Sequence, residues 1–375
     1  MSARLWPLVF TLTISLLPWM AGILAQERPR SRDLGIAPGI GEPGAANAIT
    51  DVAGVLVGQT TLKEGDRIRT GVTAILPHDG NVFREKVPGA VFVGNAFGKL
   101  AGSTQVEELG TIESPIVLTN TLSVGQAVDA TVRWTLARAG NENARSVNAL
   151  VGETNDGGLN DIRGLHVTSE AVLSAITSAR GGPVEEGAVG AGTGTVAFGW
   201  KGGIGSSSRR VKQDAATWTV GVLVQTNYGG RLTIAGVPVW RHLTPTERRS
   251  DADLADGSCM VVVATDAPLD ARNLKRLAAR AIYALARTGS TYSNGSGDFA
   301  IAFSTHASLR VTDAAAPQQR TVLPTDAVSG LFEAVMDATE EAVYNSMLKA
   351  VDATSNGRTV RALPIEQLKE LLKQR

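Results

Sequence analysis

Asp256-Gly-Ser-Cys-Met-Val-Val-Val-Ala-Thr-Asp-Ala-Pro-Leu269 decides how the rest of the chain is read. Cys259 to Ala264 is an unbroken apolar, β-branched run, the pattern of a buried strand, and Thr265 to Leu269 reads as the turn that ends it. Gly257 and Ser258 then stand at the strand's start. Gly-Ser before a strand is common turn chemistry. It also admits a chemical reading, because a serine there can attack the carbonyl of the residue before it. Once that peptide bond breaks, Ser258 is an N-terminal residue that carries a hydroxyl nucleophile and an amine base together.

On the N-terminal side of this stretch, Arg241 to Asp256 turns sharply polar and predicts an exposed linker running into the junction. On the other side, Asp270 is expected to cap a helix to Arg287, with Leu274, Leu277, Ala278, Ala281, Ile282 and Leu285 as its apolar face. The loop Thr288 to Gly297 leads into a strand, Asp298 to Ser304. Helices are expected over Thr325 to Lys349 and Pro364 to Lys373.

Further upstream, Trp218 to Gln225 predicts a strand that delivers Asn227, and Leu232 to Val239 one more. Val147 to Gly152 predicts a strand that delivers Glu153-Thr-Asn-Asp-Gly157, with turn chemistry at its end. Strands are also expected in Asn47 to Gly58, Gly71 to Leu76, Gly89 to Gly94 and Pro115 to Thr119. Ser123 opens a helix that Gly140 stops, and Ser169 caps another to about Arg180. Gly187 to Gly194 and Lys201 to Arg210 are the most glycine-dense parts. A nucleotide-loop reading of Gly190, Gly192 and Gly194 lacks both the helix start and the Gly-Lys-Ser/Thr it needs, so glycine-lined walls of a small-molecule pocket are preferred. Residues 26–44 read as an extended arm.

Lys+Arg and Asp+Glu both number 36 in the 375 residues, so no net charge draws the chain to nucleic acid. Cys259 is the one cysteine, which excludes an internal disulfide. His78, His166, His242 and His306 are not spaced as metal ligands, and neither a metal nor a cofactor is expected. Arg4 and the apolar stretch Leu5 to Leu24 resemble a signal peptide over residues 1–25, with an uncleaved anchor as the rival reading. Either exports the rest, to the periplasm or outside the cell; with cleavage there, the mature form keeps no membrane segment.

Gly257 to Leu269 resembles the junction of the self-processing L-aminopeptidase/D-esterase and β-peptidyl aminopeptidase family. Asn47 to Gly58, Glu153 to Gly157, Lys201 to Arg210 and Ser293-Asn-Gly-Ser-Gly-Asp-Phe299 resemble other segments of it, in the same order. The resemblance implies a four-layer αββα sandwich, similar to N-terminal-nucleophile hydrolases but differently connected. It implies self-cleavage between Gly257 and Ser258 into chains 26–257 and 258–375, which stay together and assemble as homo-tetramers of the processed pair. Ser258 is the implied nucleophile. Ser296 and Asp298 match the serine and carboxylate that position the new amine, and Asn227 the asparagine that stabilises the oxyanion. Glu153 matches the carboxylate for the substrate's amino group, and Asn155 stands where some relatives carry a tyrosine that helps the oxyanion.

Residue chemistry runs the same way. An α-amine of pKa about 7.7–8.0 is partly neutral near pH 7 and can accept the serine proton. An amide N–H can meet an oxyanion, and a carboxylate can pair with the ammonium of a small peptide or amino-acid amide. Strand alternation turns Cys259 away from the face of Ser258 and disfavours a cysteine nucleophile. The competing readings are an exported small-molecule binding protein and an amidase or acyltransferase of N-terminal-nucleophile type, the latter using a threonine.

Overall fold

The computed structural model describes residues 28–213, 215–245, 257–312 and 316–373. The expected signal peptide and the linker residues 246–256 lie outside the described residues.

The strands of the first half are β1 (Leu56–Glu64), β2 (Ile68–Leu76), β3 (Val87–Ala96), β4 (Leu100–Ala101), β5 (Thr111–Ile112), β6 (Ile116–Asn120) and β7 (Leu150–Thr154). Those that follow are β8 (Val196–Ala197), β9 (Trp200–Lys201), β10 (Gly203–Gln213), β11 (Ala216–Asn227), β12 (Gly257–Thr265), β13 (Ser296–Ser304), β14 (Ala353–Ser355) and β15 (Arg358–Val360). The helices are α1 (Ser103–Leu109), α2 (Val124–Leu136), α3 (Ser169–Thr177), α4 (Ala271–Arg287), α5 (Ser329–Leu348) and α6 (Ile365–Leu372).

A five-stranded sheet runs β1-β2-β6-β7-β4 and a six-stranded sheet β10-β11-β12-β13-β3-β5, with β8–β9 and β14–β15 as separate hairpins. The deciding stretch explains how they stack. Cys259, Val261 and Val263 face a core shared with α4 and α5. Met260, Val262 and Ala264 face the opposite core, shared with Ile116, Leu118 and Leu150 of the five-stranded sheet. A strand buried on both faces reads as a continuous apolar run, as this one does. Val72, Val117 and Val151 fill a third core against Ala127 and Ala130 of α2 and Val172 and Ile176 of α3. Three cores between helices, two sheets and helices make the αββα sandwich.

Each sheet holds one parallel pair joined by a helix: β6–α2–β7 in one and β12–α4–β13 in the other. The expected face of α4 is buried throughout, and the Asp270 carboxylate caps it by accepting from Asn273 N at 2.9 Å.

Several expectations are corrected. Leu232 to Val239 is not a strand. Ile234 and Val237 make an isolated bridge, and the alternation arises because Leu232, Ile234 and Val239 dip into the helix-side core. Lys201 to Arg210, read as a glycine-dense pocket wall, is mostly strand β10. Its Gly205 is required by packing, since a Cβ there would lie 2.0 Å from Ala342 O of α5. Thr168, not Ser169, caps α3, its hydroxyl accepting from Ala171 N. The N-terminal arm is tied in: Arg28 donates to Leu348 O and Leu363 O, Arg30 pairs with Glu186, and Arg32 pairs with Glu341 of α5. Glu341 also meets Arg209 at 2.6 Å with both side chains fully buried.

Candidate active site

Ser258, the second residue of β12, sits between Asn227 of β11 and Gly297 of β13 in register. Alternation turns it to the Met260 side, toward the five-stranded sheet. Its Oγ accepts a hydrogen bond from Gly297 N at 3.2 Å. In the sequence Gly257 reads as turn chemistry before the strand. The structure gives a steric reason instead, because a Cβ there would fall 2.2 Å from Asn227 O and 2.5 Å from Tyr228 Cα.

A cavity of about 250 Å³ opens in front of the serine, with Ser258, Asn227, Glu153, Asn155, Thr121 and Val196 on its walls. It lies where the start of β12 passes over the end of β7. Met260 packs there directly on Gly152, leaving no room for a Cβ. Gly158 and Gly194 complete the wall; of the two glycine-dense parts only the first reaches it, through Gly194, and Lys201 to Arg210 does not line it. A side chain on Gly194 would collide with Arg69 O at 2.1 Å.

Glu153 is buried at the end of β7. Its Oε1 accepts from Lys99 N at 2.9 Å and its Oε2 from the Thr121 hydroxyl, so both oxygens are fixed toward the cavity. Asn227 is fixed as firmly: Oδ1 accepts from Val196 N at 2.9 Å and Nδ2 donates to Asn155 O at 3.0 Å. These two partners allow one amide orientation only. Asn155 therefore meets Asn227 through its backbone. Its side-chain Oδ1 accepts from Gly157 N at 2.9 Å in a turn.

Ser296 and Asp298 join each other but not the cavity. Ser296 Oγ donates to Asp298 Oδ2 at 2.8 Å. Asp298 pairs with Cys259 across the parallel ladder and shares its helix-side face, opposite Ser258 Oγ. Ser296 is in register with Gly257, so the serine–carboxylate pair backs onto the Gly257–Ser258 peptide from behind. Burial pushes the Asp298 carboxyl up to about 6, while the Ser296 hydroxyl and the Cys259 backbone hold it down. The Cys259 thiol is buried on that same face, and desolvation raises its pKa further from the thiolate. Among the described residues, no three His, Cys, Asp or Glu side chains gather to hold a metal ion.

Sequence reasoning missed Thr121 and Val196. Thr121 falls between the expected strand Pro115 to Thr119 and the helix opened by Ser123, with no motif to mark it, and Val196 acts through a backbone N–H that has no side-chain signature.

The arrangement holds a serine hydroxyl, an oriented amide donor and a carboxylate about one small cavity, a set suited to acyl transfer from a substrate bearing an amine. The model of peptidase family S58 matches residues 47–360. The chain is 44% identical to the β-peptidyl aminopeptidase BapA of Sphingosinicella microcystinivorans, over 94% of each chain. It is 38% identical to that of Sphingosinicella xenopeptidilytica, over 99% of this chain and 98% of the other. The solved L-aminopeptidase D-Ala-esterase/amidase of Ochrobactrum anthropi is described as a prototype serine aminopeptidase with a variant of the Ntn hydrolase fold. It superposes with a TM-score of 0.87 at 39% identity, over 92% of this chain and 99% of that one. Sequence, fold and site geometry thus converge, and this chain belongs to peptidase family S58, as a peptide-bond hydrolase.

Proposed function

We propose that the chain cleaves itself between Gly257 and Ser258 and then works as an aminopeptidase with Ser258 as its N-terminal nucleophile. The observation that carries this is the convergence of Ser258, Asn227 and Glu153 on one cavity. In the first reaction Ser258 Oγ adds to the Gly257 carbonyl and the C–N bond breaks. The acyl group passes to oxygen, and water hydrolyses the ester to a Gly257 carboxylate and a free Ser258 amine. In the second, that amine takes the Oγ proton as Oγ attacks the substrate carbonyl. The Asn227 N–H meets the oxyanion, the leaving amine departs protonated, and water releases the acyl residue. Ser296 and Asp298, behind the cut peptide, hold the new ammonium.

The two chains stay together because β12 and β13 of the second are flanked by β11 and β3 of the first. Assembly of such pairs into a homo-tetramer and export of the protein belong to the same reading. They are tested by solution mass and by the N-terminus found in a cell fraction.

Glu153 selects a free substrate amine. Substrates with an N-terminal β-amino acid come first, since two relatives carry that activity in their names, and L-aminoacyl amides and D-alanine esters come next. Mass spectrometry of the purified protein and of Ser258→Ala tests the reading. Two fragments with Ser258 at a new N-terminus are expected from the wild type and one intact chain from the variant. Fragmentation of Ser258→Ala at the same bond would assign the cut to another protease.

A further inference from the structure

Lys201 is a fully buried lysine that the reaction as described does not use. Burying an ammonium is costly unless its hydrogen bonds are all made, and a methionine would fill the space without that cost. The Lys201 bonds are made with care. Nζ donates to Gly192 O at 2.9 Å, to Thr195 O at 2.8 Å and to Gly202 O at 2.8 Å. Lys201 lies on a hairpin, β8–β9, opposite Val196 in register. Phe198 and Gly199 turn that hairpin with φ of 52° and 80°.

The carbonyl of Thr195 and the N–H of Val196 belong to one peptide plane. The carbonyl receives the Lys201 ammonium, and the N–H donates to Asn227 Oδ1 at 2.9 Å. Asn227 in turn lines the cavity that holds Ser258, with one Nδ2 hydrogen donated to Asn155 O at 3.0 Å and the second left for the oxyanion. A cation at one end of such a chain polarises every bond along it in the same sense, which strengthens the last donor. We propose that Lys201 is a positioning residue for catalysis: through the Thr195–Val196 peptide it orients and polarises the Asn227 amide that receives the oxyanion.

The charge the chain needs is supported by the acceptor set. Burial and Lys63 drive the Lys201 pKa down to about 7 while Asp156 raises it. Three carbonyls around one nitrogen need three N–H donors, and only the protonated form has three. Asp156, bonded by Asn160 Nδ2 at 3.0 Å, is the nearby acidic group; burial pushes its own pKa up to about 7 while Lys201 holds it down, so the three-carbonyl geometry carries the case for the ammonium.

This inference rests on Asn227 as the oxyanion donor, and the experiment separates the two claims. The rate of self-cleavage of freshly purified precursor and the kcat and KM of the cleaved enzyme on an aminoacyl amide are measured for wild type, Lys201→Met, Asn227→Ala and the double variant. Thermal melts establish that each is folded. Asn227→Ala is expected to lower the rates by about 10²–10³, the usual value of one such donor. Lys201→Met is expected to lower kcat on the order of ten-fold with KM within about two-fold, since it weakens the donor without removing it. In the Asn227→Ala background the same change should do almost nothing, because the residue it acts through is gone. Equal losses from Lys201→Met in both backgrounds would make Lys201 a general support of the fold and overturn the inference, as would a loss confined to KM. No loss from Asn227→Ala alone would remove the oxyanion role itself, and the inference with it. Should Lys201→Met not fold, Lys201→Gln, neutral but still an N–H donor, runs through the same cycle with the same criteria.

Discussion

The two parallel units, β6–α2–β7 and β12–α4–β13, are built alike and used in opposite ways. Each is the one parallel pair of its sheet, and each sends its helix to an outer layer. In the first, the polar residues of the cavity hang from carboxyl ends of strands: Thr121 follows β6, and Glu153 and Asn155 stand at the end of β7. That is where open α/β sheets ordinarily place ligands. In the second the cavity's serine stands at an amino end, Ser258 in β12, and Ser296 at the amino end of β13 lies behind it, off the cavity. Under the proposed self-cleavage, Ser258 near the start of β12 would become the first residue of the second chain. The sheets pack so that one unit's end meets the other's beginning, with Met260 on Gly152 and Ser258 sharing a cavity with Glu153 and Asn155.

The comparison can be broken most severely at the amino end. Ser258→Ala should leave an intact chain and reduce hydrolysis by at least about 10³-fold, since nucleophile and amine base are lost together. Electrophoresis and an amide assay check both. Gly257→Ala comes next. A Cβ pressed on the backbone of Asn227 and Tyr228 has to displace β11, so self-cleavage should slow by about ten-fold or more, with a loss of roughly 1–3 kcal/mol in stability. Timed electrophoresis and chemical denaturation of the precursor read the two effects. Self-cleavage at the wild-type rate would show that the site tolerates movement of the strand.

The carboxyl-end unit is probed by Glu153→Gln. A charge-assisted hydrogen bond worth roughly 1.5–3 kcal/mol is lost, so turnover of free aminoacyl amides should drop about ten- to a hundred-fold. Self-cleavage, which involves no substrate amine, should continue. Equal wild-type rates on free and N-acetylated amides would remove the aminopeptidase reading and leave a general amidase.

The smallest effect concerns pH. Asp298 is expected to favour the protonated form of the Ser258 amine and so to raise its pKa. Activity should rise with pH as that amine deprotonates. Asp298→Asn, which removes the carboxylate, should move this acid limb to lower pH by up to about one unit. The stability of the uncut chain carries a second sign. Because the Asp298 pKa is raised to about 6 from 3.8 on folding, the native state binds more protons in that window, and stability declines as pH rises through it. Asp298→Asn should flatten the decline, as equilibrium unfolding at a series of pH values will register.

Strand β12 was legible because both its faces are buried, so composition alone marked it. Helix α4 was legible because a single apolar stripe followed an Asp cap. Strand β10 was not legible. Its two glycines answer to contacts between residues far apart in sequence, Gly205 to α5 pressing on the sheet from 342 to 346 and Gly203 to the backbone of Gly187. Leu232 to Val239 misled for the converse reason, since an irregular segment dipping into a core imitates alternation.

Residue order alone determined the deciding strand, the serine at its start, the amide and carboxylate types available for the site, and a family resemblance spread over most of the chain. Only the tertiary structure decided which of them meet. It put Ser258 and Glu153 on one cavity, turned Ser296 and Asp298 to the other face of the strand, used the backbone rather than the side chain of Asn155, and linked Lys201 to Asn227 through a peptide plane. The physical reason is that side-chain chemistry is written residue by residue. Backbone donors, strand faces and contacts between sheets exist only once distant segments are packed together.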